Sequence, residues 1–308
     1  MTQPVELDLG LVVAGHGRHY IVETPERKRL ICHPRGKKSA CVVGDRVRWQ
    51  SISQGSGGAL GEGVIEHIEP RRNLLFRQDE WKTKSFAANL DQLLVWFAVD
   101  PVFSESQLAR ALIAAESADI AATIVLNKID LPGAAVQCER LAPYRAMGYE
   151  VLELSLAQGF VAAQAVLQPR LDGKATLVLG PSGAGKSTLI NALLPNAKAQ
   201  VGEISQALNS GRHTTTTTQW YWLDAERGSA LIDSPGFQGF GLQQIEPAQL
   251  PAYMPDLRAH AGGCKFYNCT HRHEPGCAVI AAVERGEVSA SRWRIHGELL
   301  EEMTRTRW

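Results

Sequence analysis

The sequence has no excess of either charge and no long hydrophobic run, and both absences restrict what the protein can be. Its 308 residues contain 32 Lys+Arg and 32 Asp+Glu, so the formal net charge is zero. Any contact with nucleic acid must therefore come from local basic patches. No run approaches the roughly 18 consecutive apolar residues of a membrane-spanning helix. The N-terminus, MTQPVELDLG, lacks the basic segment and apolar stretch of a secretory signal. We expect a cytoplasmic protein that does not enter a membrane.

Cysteine is scarce, with six residues, but three of the six lie within fourteen positions. The segment GCKFYNCTHRHEPGC contains Cys264, Cys269 and Cys277, with His271 and His273 between them. Such clustering is typical of a metal site in a reducing compartment and not of a disulfide framework. Three thiolates and one imidazole form the closed tetrahedral set that structural Zn²⁺ prefers. We predict one structural zinc ion, with either histidine as its fourth ligand.

The chain changes character twice, which predicts three domains. Residues 1–68 are rich in short strand patterns and favour a small β-barrel of the OB-fold type, with a β-sandwich as the alternative. Residues 69–245 alternate apolar strands with helical segments, as in a doubly wound, mainly parallel α/β sheet that binds ligands at the carboxyl ends of its strands. Residues 246–308 contain the Cys/His cluster and two helical pieces divided near Gly286.

A phosphate-binding loop is predicted where the sequence GPSGAGKST follows the apolar strand ATLVL and precedes the helical segment LINALL. Its glycines let the backbone turn N–H groups towards phosphate oxygens, and the helix N-terminus favours an anion. Lys186 is expected to bridge the β- and γ-phosphates as a catalytic residue, and the Ser187 hydroxyl to ligate Mg²⁺. The predicted nucleotide contacts are Gly180, Pro181, Ser182, Gly183, Ala184, Gly185, Lys186, Ser187 and Thr188.

The tetrapeptide NKID, at the end of the strand ATIVL, predicts recognition of guanine. The Asp130 carboxylate can accept hydrogen bonds from guanine N1–H and the 2-amino group, whereas adenine has no donor at either position. Asn127 is expected to support the loop and reach the base edge, Lys128 to lay its methylenes across the ring, and Ile129 to complete the contact. Ser155, after the strand VLEL, stands where a loop amide can contact guanine O6. Combined with the phosphate loop, these residues predict GTP as the nucleotide.

Two further segments predict the residues for Mg²⁺ binding and hydrolysis. DSPG fits the D-x-x-G loop, in which Asp233 holds Mg²⁺ through water and the Gly236 amide senses the γ-phosphate. GRHTTTTTQ lies between the phosphate loop and DSPG, where a Mg²⁺-binding switch threonine is expected. Thr215 is the first candidate, also as a catalytic residue, and Thr216 is the second. His213 is the candidate for orienting or deprotonating the attacking water, with a solvated loop histidine as the alternative.

The motifs occur in the order NKID, LELS, GPSGAGKST, HTTT, DSPG, whereas ordinary GTPases have the base-reading loops after the phosphate loop. With VGDRV, PRRNLL, AANLDQLL, GRHTTT, DSPGFQGFGL and the metal motif, nearly the whole chain closely resembles the RsgA family of circularly permuted, ribosome-associated GTPases. The resemblance implies an OB-fold before a permuted GTPase domain and a zinc domain after it. It also implies His271 as the fourth zinc ligand and His213 as the catalytic histidine of the switch.

The resemblance further implies the partners. It indicates a slow GTPase that binds the small (30S) ribosomal subunit and 16S rRNA, acts late in maturation of the subunit and is stimulated by it. We expect hydrolysis of GTP to GDP to favour release, and a monomer that requires Mg²⁺ with the nucleotide.

Basic residues interleaved with aromatics are candidate contacts to rRNA phosphates and unstacked bases, although each one alone is compatible with a solvated surface charge. The candidates are Arg35, Lys37, Lys38, Arg71, Arg72, Arg77, Lys82, Lys84, Arg292, Arg294, Arg305 and Arg307, with Trp293 and Trp308.

Two other classes of function are compatible with the motifs. One is a GTP-dependent binding module whose hydrolysis is incidental, which turnover measured with and without small subunits would distinguish. The other is a GTPase that services a metal or another protein complex through its zinc domain. Salt-dependent co-sedimentation with subunits would distinguish that one, because binding to rRNA weakens as salt rises.

Overall fold

The computed structural model describes residues 7–36, 41–53, 60–78, 83–195, 218–224, 226, 228–234, 240 and 242–305. Within these residues, strands dominate the first part of the chain, strands and helices alternate in the middle, and helices follow at the end. This order agrees with the three kinds of segment that the sequence predicts.

The N-terminal part forms a closed five-stranded barrel, as predicted. Its strands are β1 (Asp8–His16), β2 (His19–Glu23), β3 (Arg29–Pro34), β4 (Arg46–Ser53) and β5 (Gly61–Ile68). β1 pairs with both β2 and β4, β3 pairs in parallel with β5, and β4 pairs with β5, which closes the barrel. Trp49 fills the interior, where Cβ atoms at Gly10 and Gly63 would lie 3.2 and 2.8 Å from its ring. Glycine at these two positions therefore makes room for the indole.

A hairpin that the sequence did not predict connects the barrel to the next domain. It consists of β6 (Leu74–Gln78) and β7 (Thr83–Ala88), which pair antiparallel. The Ala88 amide donates to the Val43 carbonyl at 2.9 Å. Gly44 lies at φ 91°, and a Cβ there would lie 2.1 Å from the Ala88 carbonyl oxygen. Only glycine fits this contact, which seats the hairpin against the barrel.

The middle of the chain forms the α/β sheet, in the order β10–β9–β8–β11–β13–β12. Its strands are β8 (Gln92–Ala98), β9 (Ala121–Asn127), β10 (Glu150–Glu153), β11 (Ala175–Leu179), β12 (Gln219–Asp224) and β13 (Ser229–Asp233). β12 runs antiparallel to β13, and the other neighbouring pairs are parallel. The barrel joins this sheet through the pair Ala14–Gln219, so the described strands of both domains form one sheet of eleven strands.

Helices cover the sheet and connect its parallel strands. They are α1 (Glu105–Ser117), α2 (Ala134–Arg140), α3 (Ala142–Ala146), α4 (Phe160–Leu171) and α5 (Lys186–Leu193). All residues of β8 and β11 are buried, because helices cover both faces. Ser104 caps α1 by accepting a hydrogen bond from the Gln107 amide. The carboxyl ends of β8, β9, β11 and β13 therefore meet at one edge of the sheet, where loops can converge on a ligand.

The C-terminal part is helical and packs against α1 and α3. It contains a 3₁₀ helix (Pro247–Tyr253), α6 (Pro255–Ala261), α7 (Ala278–Glu284) and α8 (Ala290–Arg305). Gly286 lies at φ 77° between α7 and α8, which are the two predicted helical pieces. Glu302 of α8 pairs with Arg110 of α1. In the part of the chain that the structure describes, no helix has the length and hydrophobicity needed to cross a bilayer.

Candidate nucleotide and metal sites

The predicted phosphate loop connects the end of β11 to the start of α5, as the motif requires. Gly183 and Gly185 lie at φ 82° and 98°, in the left-handed region that favours glycine. A Cβ at Gly180 would lie 1.8 Å from the Trp96 carbonyl oxygen, so this glycine allows the loop to rest directly on β8. Pro181 is half-buried, whereas Ser182, Ser187 and Thr188 are exposed at the open side of the loop.

The NKID loop lies directly beside the phosphate loop, although its last residue, Asp130, precedes Gly180 by 50 positions in the sequence. The Asn127 amide nitrogen donates to the Ala184 carbonyl at 3.0 Å, and its amide oxygen accepts from the Leu156 backbone N–H at 3.2 Å. A Cβ at Gly185 would lie 2.4 Å from Asn127 Nδ2. One buried side chain therefore connects three loops: NKID, LELS and GPSGAGKST.

The two residues predicted to contact the base edge also lie together. The Ser155 hydroxyl donates to the Asp130 carboxylate, and it accepts from the Gln158 backbone N–H at 3.2 Å. The Ile129 amide donates to the Leu154 carbonyl at 3.3 Å, which holds the two loops side by side. Lys128 lies at φ 62° and donates to the Asp100 carbonyl at 2.6 Å. The arrangement places an acceptor carboxylate at the edge of the sheet, next to the phosphate loop.

Lys186 and Asp233 form the charged part of the site. Lys186 Nζ donates to the Gly180 and Pro181 carbonyls at 2.6 and 2.8 Å, so it is folded back onto its own loop. Burial lowers the pKa of Lys186, and the nearby Asp233 carboxylate partly offsets this effect. Burial likewise raises the pKa of Asp233 to about 6, while Lys186 acts to lower it. Each group is thus mostly removed from water, with the other as a counter-charge.

The remaining predicted residues of the nucleotide site lie outside the described residues. These are His213, Thr215, Thr216 and Gly236. Their predicted roles remain predictions.

The four residues of the predicted zinc site come together. The donor atoms of Cys264, Cys269, His271 and Cys277 all lie within 4.8 Å of one another. A tetrahedral ion with bonds of about 2.3 Å to sulfur and about 2.0 Å to nitrogen would separate two sulfurs by about 3.8 Å, and a sulfur from a nitrogen by about 3.5 Å. Cys264 Sγ lies 3.8 Å from Cys277 Sγ, and both sulfurs lie 3.5 Å from His271 Nδ1. The donor set therefore fits a tetrahedral Zn²⁺.

The loop that carries these residues is ordered by its own hydrogen bonds. The Glu274 carboxylate accepts from the backbone amides of Thr270, Arg272 and His273 at 2.7, 3.0 and 3.2 Å. His271 lies at φ 60°, and its carbonyl accepts from Trp293 Nε1 at 2.8 Å. His273, the alternative ligand, is exposed. The turn thus directs His271 towards the three sulfurs.

The structure corrects part of the predicted RNA-contact set. Arg292 is 2 % exposed and forms a two-pronged ion pair with Asp256 at 2.8 and 2.9 Å, so it is a buried structural residue. Arg71 pairs with the buried Asp45 at 2.7 and 2.8 Å. Arg35 and Arg294 remain exposed, each near a glutamate. Lys37, Lys38, Lys82 and Arg307 lie outside the described residues.

Trp96 belongs to the nucleotide site, although no sequence motif indicates it. Trp96, in β8, donates from its indole nitrogen to the Ala184 carbonyl at 2.9 Å. In the sequence it is one of several large apolar residues in LDQLLVWFAVD, and hydrophobicity gives no sign of a polar contact. The indole N–H of a tryptophan in a fully buried strand indicates only that a hydrogen-bond partner exists, since such buried groups usually have one.

Known proteins are similar to this chain over nearly its whole length. The family model described as RsgA GTPase matches residues 68–243. A protein from Variovorax paradoxus named small ribosomal subunit biogenesis GTPase RsgA is 60 % identical over 304 residues, which cover 97 % of this chain and 93 % of that protein. A protein of the same name from Burkholderia pseudomallei is 52 % identical over 295 residues, with 95 % and 91 % covered.

Solved structures give the same result. The crystal structure of YjeQ from Thermotoga maritima is 30 % identical, with a TM-score of 0.72, and the match covers 97 % of this chain and 99 % of that one. The structure of YloQ, described as a circularly permuted GTPase, is 27 % identical, with a TM-score of 0.69 and coverage of 99 % and 98 %.

Proposed function

The chain belongs to the RsgA GTPase family and hydrolyses GTP, and we propose that it couples this hydrolysis to late maturation of the small ribosomal subunit. The observation that supports the nucleotide site best is the bond from the Asn127 side chain to the Ala184 carbonyl at 3.0 Å. It puts the base-reading loop and the phosphate loop at one edge of one sheet, so that a single guanine nucleotide can contact both.

In the proposed complex, the base and the phosphates bind at opposite ends of the site. The Asp130 carboxylate accepts from guanine N1–H and the 2-amino group, and Ser155 holds that carboxylate in place. Lys128 lies along the base. At the other end, Lys186 Nζ leaves the Gly180 and Pro181 carbonyls and bridges the β- and γ-phosphates. The Lys186 ammonium group thus exchanges two neutral carbonyl acceptors for charged phosphate oxygens, and this exchange favours nucleotide binding.

Mg²⁺ would be held by Ser187 and Asp233, together with Thr215 of the switch. A mostly buried carboxyl whose pKa burial raises to about 6 fits a site that receives a cation, because the ion compensates the charge that burial disfavours. When bound, Mg²⁺ neutralises charge that develops on the phosphoryl oxygens. Thr216 is the alternative to Thr215.

His213 would position the water that attacks the γ-phosphorus. The segment DSPG is followed by Phe237, which has no polar group, so another residue must orient this water. We propose that contacts with rRNA or a ribosomal protein order the threonine-rich switch and bring His213 into place. Stimulation by the subunit then follows, since the reactive arrangement is completed only in the complex.

The small ribosomal subunit and its 16S rRNA are the proposed partners. The two relatives described above are named for small ribosomal subunit biogenesis. The barrel and the exposed arginines, such as Arg35 and Arg294, offer cationic side chains to RNA phosphates. GTP would favour docking and its hydrolysis would favour release of a monomeric protein into the cytoplasm.

The C-terminal cluster would hold one structural Zn²⁺ through Cys264, Cys269, His271 and Cys277. Four protein ligands leave no open coordination position, so the ion stabilises the loop and takes no part in hydrolysis. Its position at the start of α7, beside α8, makes it a support for the helical domain.

The test measures GTP turnover of wild type and His213→Ala, each with and without purified 30S particles. We expect the particles to accelerate the wild type and not the variant, while both bind GTP with equal affinity. Equal stimulated turnover in the two proteins would remove His213 from the mechanism.

Co-sedimentation with 30S particles over a salt series tests the partner. Binding should be tighter with a non-hydrolysable GTP analogue than with GDP, and it should weaken steeply as salt rises. The absence of sedimentation at low salt with either nucleotide would contradict the proposed partner and would leave the GTPase assignment intact.

A further inference from the structure

We propose that Trp96 is a positioning residue of the nucleotide site: its indole N–H holds the Ala184 carbonyl and thereby directs the next peptide N–H, that of Gly185, towards the phosphates. This inference rests on the proposed nucleotide site and adds to it a residue that belongs to none of the nucleotide-binding motifs.

The Ala184 carbonyl receives two hydrogen bonds from the sheet below it. Trp96 Nε1 donates at 2.9 Å from β8, and Asn127 Nδ2 donates at 3.0 Å from the end of β9. A carbonyl oxygen has two lone pairs, so both bonds can form at once. Trp96, Asn127 and Ala184 are all buried, at 0, 2 and 0 % exposure, so water does not compete for these bonds.

The two bonds fix the direction of one peptide plane. In a trans peptide the carbonyl of one residue and the N–H of the next point in opposite directions. With the Ala184 oxygen held down against Trp96 and Asn127, the Gly185 N–H faces the opposite, open side of the loop. Phosphate loops bind their anion with backbone N–H groups of this kind. Gly185 has φ 98° and no Cβ to restrict the rotation of this peptide, so the two donors help to fix its orientation.

Trp96 supports the other end of the loop as well. Its backbone carbonyl oxygen lies 1.8 Å from the position that a Cβ of Gly180 would occupy. Its ring packs in the apolar cluster beneath the loop, which includes Leu189 and Ile190 of α5. The side chain therefore has little freedom to turn away from Ala184. The first and fifth residues of the loop both rest on this one residue.

Trp220 provides a matched control. It is also a buried tryptophan of the same sheet, at 6 % exposure, and among the described residues its Nε1 has no hydrogen-bond partner. Trp96→Phe and Trp220→Phe remove the same atoms from a buried side chain of the sheet, but only the first removes a bond to the phosphate loop. The loss of packing is thus common to both variants.

Calorimetric titration with GDP, GTP and ATP tests the proposal. We expect Trp96→Phe to bind GDP and GTP roughly three- to tenfold more weakly than wild type, the range that one hydrogen bond represents. Trp220→Phe should bind within about twofold of wild type, a difference below one hydrogen bond. The preference for GTP over ATP should be unchanged in Trp96→Phe, because the base contacts remain. Thermal unfolding of both variants gives the fraction of each protein that is folded at the temperature of the titration. The affinities are then calculated for that folded fraction.

A double-mutant cycle with Asn127→Ala separates positioning from general packing. If both donors hold the same carbonyl, removal of both should weaken GDP binding by more than the product of the two single effects. Equal affinity of Trp96→Phe and Trp220→Phe, or a combined effect in the cycle no larger than the product of the two single effects, would overturn the role of Trp96. Failure of the wild type to bind GDP would instead refute the proposed nucleotide site.

Discussion

Replacement of Asp233 by Asn should stabilise the nucleotide-free protein and remove most of the stabilisation that Mg²⁺ and GTP give to the wild type. Asp233 ends β13, where burial acts against its charged form and Lys186 is the neighbouring cation. Without Mg²⁺ and GTP, the folded protein holds this carboxylate partly buried, with no bound cation to compensate its charge. Asparagine has nearly the same shape and no charge, so it removes the cost of burying the charge.

The magnitude follows from the pKa. Burial raises the pKa of Asp233 from 3.8 to about 6. This difference corresponds to at most about 3 kcal/mol of destabilisation above pH 6. The folded state binds the Asp233 proton more tightly than the unfolded state does. Protonated Asp233 therefore leaves the free energy of unfolding undiminished below about pH 4, and the protein loses stability as the pH rises through about 6. Asparagine leaves Lys186 without its counter-charge, which reduces the gain, and we expect roughly 1–2 kcal/mol at pH 7.

The assay is urea unfolding of wild type and Asp233→Asn at pH 4.5 and pH 7, with EDTA and without nucleotide. The variant should be more stable at pH 7, and the difference should shrink at pH 4.5. Asp119→Asn is the control, because Asp119 is exposed at φ 53°, a conformation that Asn also accepts. With Mg²⁺ and GTP the wild type should gain stability and the variant little. A variant that is less stable than wild type at pH 7 without ligand would show that burial of the Asp233 charge does not limit the stability of the protein.

Two other predictions concern the C-terminal domain. Cys277→Ala should lower the zinc content from one ion per chain to less than half and reduce the melting temperature, whereas Cys138→Ala should retain the ion, as elemental analysis would show; full zinc content in Cys277→Ala would contradict the site. Asp256→Ala should destabilise the protein by roughly 3–5 kcal/mol in urea unfolding, because it leaves the buried Arg292 cation unpaired. The double variant Asp256→Ala, Arg292→Met should recover most of this loss, and a double variant as unstable as the single one would show that the cost is not electrostatic.

The nucleotide and metal motifs could be located from the sequence because each one is local. The nine residues GPSGAGKST include the glycines, the lysine and the start of the helix. The apolar strand before them and the helical segment after them distinguish the motif from a chance match. The Cys/His segment likewise contains all its donor atoms within one turn-rich stretch. The carboxyl ends of parallel strands share an edge, so the proximity of NKID and the phosphate loop also followed from the α/β pattern.

Features that depend on distant partners could not be predicted in this way. The basic residues Arg71 and Arg292 resembled surface charges until the structure placed Asp45 and Asp256 beside them, 26 and 36 positions away in sequence. Two further features depend on contacts between segments far apart in sequence: the pairing of β1 with β12, and the seat of the β6–β7 hairpin on the barrel. The contact of Trp96 with the phosphate loop could not be predicted either, because an apolar strand pattern does not show where the indole nitrogen of this residue points.

If Asp130 recognises guanine at the site whose phosphate end is the GPSGAGKST loop, exchange of Asp130 for Asn should change the base that the protein prefers. A carboxylate accepts from both guanine N1–H and the 2-amino group, whereas an amide can accept from N1–H and donate to the 2-oxo group of xanthine. Calorimetry with GDP and xanthosine diphosphate should show that wild type prefers GDP and that Asp130→Asn prefers the xanthine nucleotide, with both bound through the same phosphate loop. An unchanged preference for GDP in the variant would show that Asp130 does not recognise the base.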